Sequence, residues 1–446
     1  MRKTVEKIRD RKGITLIALV VTIVIILILA GITVGMVTSD NGILKETKTA
    51  KLQAEVDNEK SILERAKMLT MMRDKSGKIT MSVFEPALKD EAGTNPTEVS
   101  DTGDTIEVLF TDSNRYYEVD KDGNVSEPQE VVRDENAGDI TKGGNCDGSE
   151  EKPYEINCIE DLVVLSIMTN GGNTELNIGK STLYKKQVVL MRSLNFNSKF
   201  SYNDSTTTKF GDLNQDGIVE DIRTELTKTE ENCVGFTPIG EDAMNLENRF
   251  EGKFDGRNNE IKNIYIKTTK SAGLFGGIFE ATIRNLTVSG NITSTEKNAG
   301  GIAGEGLAYI YNCHNKANIE GKGFAGGIGG RVWNTVAIAL IVECSNVGNV
   351  YSNNYAAGIV GDSSGKVMNC YNTGKVNGKG DTGGIVGESQ QKVTIINCYN
   401  AGEIKSQNNR GAGIIAFVYA ETTVNNCYNI GNINRLYNKW IRWNNN

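Results

Sequence analysis

The chain has 446 residues, a formal net charge of -7 and a single histidine, His314. It is long enough for two or three domains, and its acidic balance excludes a general nucleic-acid binder, which needs a cationic face to displace counterions from phosphate. Forty-nine glycines against five prolines, with no triplet period, exclude collagen-like and proline-rich architectures and point to frequent turns between short strands.

Residues 1–13 carry six basic and two acidic side chains, and Gly13 to Ser39 form an uncharged run of 27 residues. As a helix this run extends about 40 Å, more than the hydrocarbon core of a bilayer. The basic flank before it predicts a cytoplasmic N-terminus and export of everything after it. A signal peptide or plain anchor is the alternative, although the run exceeds a signal core and has no small-x-small cleavage site. The stretch Lys12, Gly13, Ile14, Thr15, Leu16, Ile17, Ala18, Leu19 resembles the cleavage and methylation motif of type IV prepilins and pseudopilins. The resemblance implies cutting after Gly13 by a prepilin peptidase, N-methylation of Ile14, and a helix that leaves the membrane to pack with other pilin subunits. At the fifth mature position, where that family has Glu, this chain has Ala18, which suits a subunit that stays membrane-bound or sits at a filament tip.

Asp40, Asn41 and Gly42 read as a helix break. Helical periodicity then resumes over 43–72, with Leu52, Val56, Leu63 and Ala66 near one face. These features place a leader at 1–13 and a transmembrane and amphipathic spine helix at 14–72. Alternation over Thr105–Phe110 and Tyr116–Val119, with a turn at Asp122 and Gly123 leading to Val125, predicts a small sheet. It resembles the sheet of pilin heads and sets a small α/β subdomain at 73–132. The polar, glycine-containing stretch 133–150 reads as a linker.

Residues 151–249 are expected to form an entry or cap region. Within it Asp212, Asn214, Asp216, Ile218 and Glu220 stand at every second position around Gly217. That is the spacing by which oxygen ligands surround a calcium ion, and also that of a solvated acidic turn; Arg223 stands where an EF-hand has its last acid.

From residue 273 two motifs recur in fixed order. One is Gly-apolar-x-Gly, beginning at Gly273, Gly301, Gly327, Gly358, Gly384 and Gly413. The other centres on Cys313, Cys344, Cys370, Cys398 and Cys427, each followed two residues later by Asn and six later by Ile or Val. Four of the five cysteines are preceded by Asn. Such strands are too short to bury themselves, so each is expected to pair with its equivalent one turn away, at about 4.8 Å. The fold class is therefore mainly β, a right-handed parallel β-helix of roughly six rungs with three strands per unit. These repeats resemble the GLUG motif of bacterial surface proteins. Phe250, Gly252, Phe254, Asp255, Gly256, Ile261, Asn263, Ile264, Tyr265 and Ile266 match its entry segment, and Pro153, Tyr154, Glu155, Ile156, Asp161 and Leu162 look like the start of the same domain. The GLUG-like repeats then span 250–440.

The cysteines are expected to stack as buried thiols, at a position filled by Leu286 and Ile264 in the first units, with metal binding or disulfides as alternatives. Cys146 and Cys158 are a further pair open to a disulfide. His314 falls where other units have Tyr, an outward position. Asp362 and Glu388 follow the second glycine of adjacent units, near the spacing of a retaining glycosidase pair. Since Glu305, Arg331 and Phe417 share that phase, an exposed corner is the preferred reading, and no catalytic residues are assigned. The sequence thus points to a non-catalytic surface protein whose Asn and Tyr ladders face outward to bind glycan or protein.

Overall fold

The computed structural model describes residues 43–74, 78–95, 97–131, 138–174, 178–198, 201, 228–229, 233–333, 339–407 and 410–435. Gly13, Ile14, the apolar run and the loop at 212–220 lie outside them. Among the described residues no helix is long and apolar enough to cross a membrane. The chain divides into two compact units.

In the first unit, helix α1 (Ile43–Arg73) is followed by α2 (Met81–Ala92) and by a four-stranded sheet, β1 (Thr97–Asp101), β2 (Thr105–Phe110), β3 (Arg115–Asp120) and β4 (Gln129–Glu130). α1 buries Val56, Glu59, Ile62, Leu63, Ala66 and Thr70, a stripe at helical spacing, whereas Leu52, expected on that face, is exposed. The stripe meets Phe84 and Leu88 of α2 and Ile106, Val108 and Tyr117 of the sheet. β2 and β3 pair antiparallel from Thr105–Asp120 to Phe110–Arg115. After them Gly123, at φ +85°, lets Val125 bridge back to Val119. Sequence patterning does not mark α2, because Pro86 sits inside it. Glu59 on α1 is the polar centre of this unit. Its carboxylate accepts hydrogen bonds from Arg115 at 2.9 and 2.8 Å and from the Tyr117 hydroxyl at 2.6 Å.

The second unit is a parallel β-solenoid with six turns among the described residues. Their equivalent positions begin at Ala272, Ala299, Ala325, Ala356, Thr382 and Gly411. The register matches the spacing of the sequence motifs: Ala303, Gly329, Val360, Val386 and Ile415 are successive partners. So are Ile319, Val350, Val376, Ile404 and Ile433. One turn has five short strands, as in 324–326, 329–332, 339–342, 345–346 and 350–352, rather than three. Two corners account for the difference. At the Gly-apolar-x-Gly corner the backbones approach so closely that a Cβ on Gly358 would lie 2.2 Å from the Gly384 carbonyl oxygen and 2.3 Å from Asn372 Cγ. At the second corner the residue before each cysteine (Asn312, Glu343, Asn369, Asn397, Asn426) takes the left-handed conformation, with φ between 47° and 57°. Asn is the side chain that tolerates this best after glycine.

Between these corners the inward positions form aliphatic ladders, among them Ile310, Ile341, Val367 and Ile395, all fully buried. Cys313, Cys344, Cys370 and Cys398 are buried free thiols, and Cys427 of the last turn is a half-buried one. Each Sγ donates to the carbonyl two residues back at 3.1–3.2 Å. Cys313 pairs with Leu286, but the partner of Leu286 is Asn259; Ile264 is shifted by a bulge to pair with Gly290.

The asparagines before the cysteines form an outward column as expected, with Asn397 donating to Asn369 at 3.1 Å and Asn426 to Asn397 at 2.7 Å, but those standing two residues after each cysteine face inward. Asn315, Asn346, Asn372 and Asn400 are essentially inaccessible. Each donates one Nδ2 hydrogen to the Oδ1 of the next rung at 2.6–2.7 Å. The other goes to the backbone carbonyl two residues on, at 2.8–2.9 Å. A buried amide is tolerated only when satisfied in this way, and the rung repeat satisfies it indefinitely.

Ahead of the turns lie β5 (Tyr154–Ile156), helix α3 (Ile159–Thr169), β6 (Gln187–Leu190) and β7 (Leu194–Asn195). α3 shares the solenoid's apolar cluster through Ile159, Leu162, Val163, Val164 and Leu165. In the stretch expected as a linker, Ile140 is buried in the same cluster, and Lys142 pairs with the inaccessible Asp161 at 2.9 Å.

Candidate ligand-binding groove

The closing strand of each turn exposes alternate side chains on the outside of the solenoid. Parallel pairing therefore lines equivalents up in columns. One column holds Asn291, Asn318, Asn349, Lys375 and Glu403; the next holds Thr293, Glu320, Tyr351, Asn377 and Lys405. Between them runs a groove of about 450 Å³, which is within the size range of small-ligand sites. Its floor is the backbone over Ile319, Val350 and Val376, and its walls are amides, carboxylates, ammonium groups and one phenol. Asn318 donates to Asn291 Oδ1 at 3.2 Å and Asn349 to Asn318 Oδ1 at 3.1 Å, which fixes the amide column. The Tyr351 hydroxyl donates to Asn353 at 3.0 Å. Towards the C-terminal end Lys405 lies 3.6 Å from Glu403, which also accepts from Asn434 at 2.7 Å.

The tyrosines singled out in the sequence do form an outward column beyond His314 and Ser345, with Tyr371, Tyr399 and Tyr428 stacked at 5.2 and 5.3 Å and 6° between planes. Their faces cover one another, so they present ring edges and hydroxyls rather than a stacking platform. His314 Nδ1 lies 2.8 Å from Ser345 Oγ. Burial, with the Lys316 charge, pushes its imidazole below the ordinary value, leaving it neutral at pH 7.

Asp362 and Glu388 are neighbours in register, but the corner is not exposed: they are 2% and 1% accessible. Arg331 on the preceding rung donates to Asp362 at 3.0 Å and, at 3.3 Å, to Gln390, whose amide donates to Glu388 Oε1 at 3.1 Å. Glu388 Oε2 has no hydrogen-bond partner among the described residues. Burial pushes the Glu388 carboxyl above the ordinary range; Gln390 opposes the shift and the Asp362 charge adds to it. Burial also raises Asp362, more than Arg331 lowers it. The pair is thus covered by its own neighbours.

Cys146 and Cys158 are free thiols rather than a disulfide. No cluster of His, Cys, Asp or Glu among the described residues could hold a metal ion. The groove residues escape sequence reading because they share no motif. They vary from rung to rung and become neighbours only through the register.

No family model matches the sequence, and no curated protein matches it. Among solved structures the chain is similar to a putative immunoglobulin A1 protease from Bacteroides ovatus, at 18% identity and a TM-score of 0.49, over 68% of this chain and 82% of that one. A likeness of this degree speaks to neither activity nor ligand.

Proposed function

We propose that this chain is a non-catalytic, pilin-like surface protein of the minor or tip kind, in which a prepilin-type helix holds a right-handed GLUG-like β-helix outside the membrane and the groove of that β-helix binds an extended glycan. The groove carries the reading. Its walls are almost wholly amide, hydroxyl and charge, with Tyr351 as the single ring. That surface suits a polyhydroxylated chain better than an apolar protein anchor, which would call for buried aromatic or aliphatic pockets. One rung advances about 4.8 Å, close to the length of a pyranose ring in an extended polymer, so successive sugars meet successive rungs. The uncharged run after the basic leader supports membrane insertion, with prepilin peptidase and other pilin subunits as partners. Calcium held by Asp212, Asn214, Asp216, Ile218 and Glu220 belongs to the same reading, and calorimetric titration of the chain and its Asp216→Asn variant tests it.

Two measurements test the main claim. Intact mass and terminal sequencing of the protein from its native surface should give N-methylated Ile14, whereas a start at Met1 removes the pilus reading and leaves an anchored binding protein. On a printed glycan array, the soluble solenoid unit together with its preceding subdomain should bind, and Tyr351→Ala with Asn377→Ala should weaken that binding about tenfold. Undiminished binding by the double variant would move the site away from the groove.

A further inference from the structure

We infer that the groove selects a carboxylated polysaccharide, with Lys375 as the residue that reads the acid. This rests on the glycan reading of the groove and adds the ligand's charge class. The groove holds four charged side chains over its central and C-terminal rungs: Glu320, Lys375, Glu403 and Lys405. Lys405 is satisfied by Glu403, and Glu403 also by Asn434. Lys375 is different. It is exposed, lies fourth of the five residues in its column between Asn349 and Glu403, and its ammonium has no ion-pair partner among the described residues. The groove therefore presents a free cation at a fixed rung, flanked by the amide of Asn349 on one side and the Glu403 carboxylate on the other.

A sugar carboxylate at that rung accepts a charge-assisted hydrogen bond from Lys375. Glu403, one rung on, repels a second carboxylate placed next to the first. Glu320, two rungs before Lys375 in the adjacent column, does the same at the other end. The pattern fits a polymer whose acidic sugars are at least three residues apart, or a short acidic terminus, better than an alternating or uniformly charged chain. Tyr351, on the rung before Lys375, offers its ring edge and hydroxyl to the neighbouring neutral sugar.

The test uses the full-length chain in detergent and three glycan probes of equal length: neutral β-1,4-glucan oligomers, the same oligomers with every third ring oxidised to a uronate, and fully oxidised oligomers. Calorimetry should show the sparsely oxidised probe binding at least about fivefold tighter than the neutral one. The preference should shrink as salt is raised, as expected for an exposed ion pair. Lys375→Met should abolish the preference, and Lys375→Arg should keep it. Equal affinity for neutral and sparsely oxidised probes, both sensitive to Tyr351→Ala, would overturn the charge class and leave the glycan site standing. A preference that survives Lys375→Met would overturn the assignment of the residue. Absence of Tyr351-sensitive binding to any probe would overturn the glycan reading itself, and the inference with it.

Discussion

Asn372 shows what one repeated side chain does in this fold. Its amide donates to Asn400 and to Gly374, and its carbonyl accepts from Asn346, so both neighbouring rungs depend on it. Asn372→Ala leaves these buried groups without partners, at about 1–3 kcal/mol for each one stranded. We expect a large loss in denaturant unfolding, matched by Asn346→Ala, which removes the same set of bonds, with Tyr371→Ala on the surface costing far less. Glu388 supplies the opposite case. Its folded carboxyl titrates above the unfolded value, so the folded state holds its proton to higher pH than the unfolded state. That contribution is intact below the ordinary glutamate value and is lost as pH rises through the raised one. Glu388→Gln, which keeps shape and removes the charge, should therefore stabilise the protein at pH 7, and the gain should vanish near pH 4. A gain independent of pH would contradict the assignment. At this scale the sequence is legible where chemistry and burial agree, as in Cys marking an inward site, whereas Asn before Cys shows itself as a left-handed corner only in the structure. It misleads where polarity and burial diverge, as for Asn372 and Asp362, because the hydrogen bonds that make burial tolerable come from residues a full turn away.

Elements in this chain are set by their corners. Glu343 is the one residue before a cysteine that is not Asn, yet it takes the same left-handed conformation at φ +57°. Glu343→Asn should stabilise the solenoid by up to about 1 kcal/mol, read as a rise in the thermal midpoint. In the first unit, Glu59 on α1 and Arg115 on β3 are joined by two hydrogen bonds in a nearly dry site. Arg115→Met strands the carboxylate, and a loss of about 3–5 kcal/mol is expected for this unit, recovered in part by Glu59→Gln on the same background. The strands of the repeat were visible as apolar runs. Their splitting into five was not, because a tight glycine corner and a single left-handed residue interrupt a strand without altering its hydropathy. α2 was hidden for the reverse reason: Pro86 argues against a helix that tertiary packing of Phe84 and Leu88 nonetheless holds.

For the whole molecule, the repeat confines its irregularity to the corners between strands, and the largest lies in one turn. Six residues separate Val332 from Ala339, but Ser364 alone separates their partners Ser363 and Gly365. All other positions of those turns stay in register. The turns are then close to interchangeable, and removing residues 360–385 would join Ile359 to Val386 with every ladder intact. We expect the shortened chain to fold, by circular dichroism and a cooperative melt, and to lose the acidic-glycan preference along with Lys375. The existence and period of the solenoid could be read from sequence because they recur. The groove could not, since its selectivity lies in the non-repeating residues. The cysteines have a final consequence for handling the protein. In the folded chain the four buried thiols, Cys313, Cys344, Cys370 and Cys398, are held apart from oxidants and committed to a carbonyl, so they are chemically silent, and only the half-buried Cys427 of the last turn is within reach. Once unfolded, five thiols spaced 26 to 31 residues apart on one strand of chain meet freely, and in air they cross-link in any combination. Unfolding without reductant is thus a one-way step, and the lifetime of this protein in an oxidising medium is set by how seldom its rungs open rather than by how stable they are.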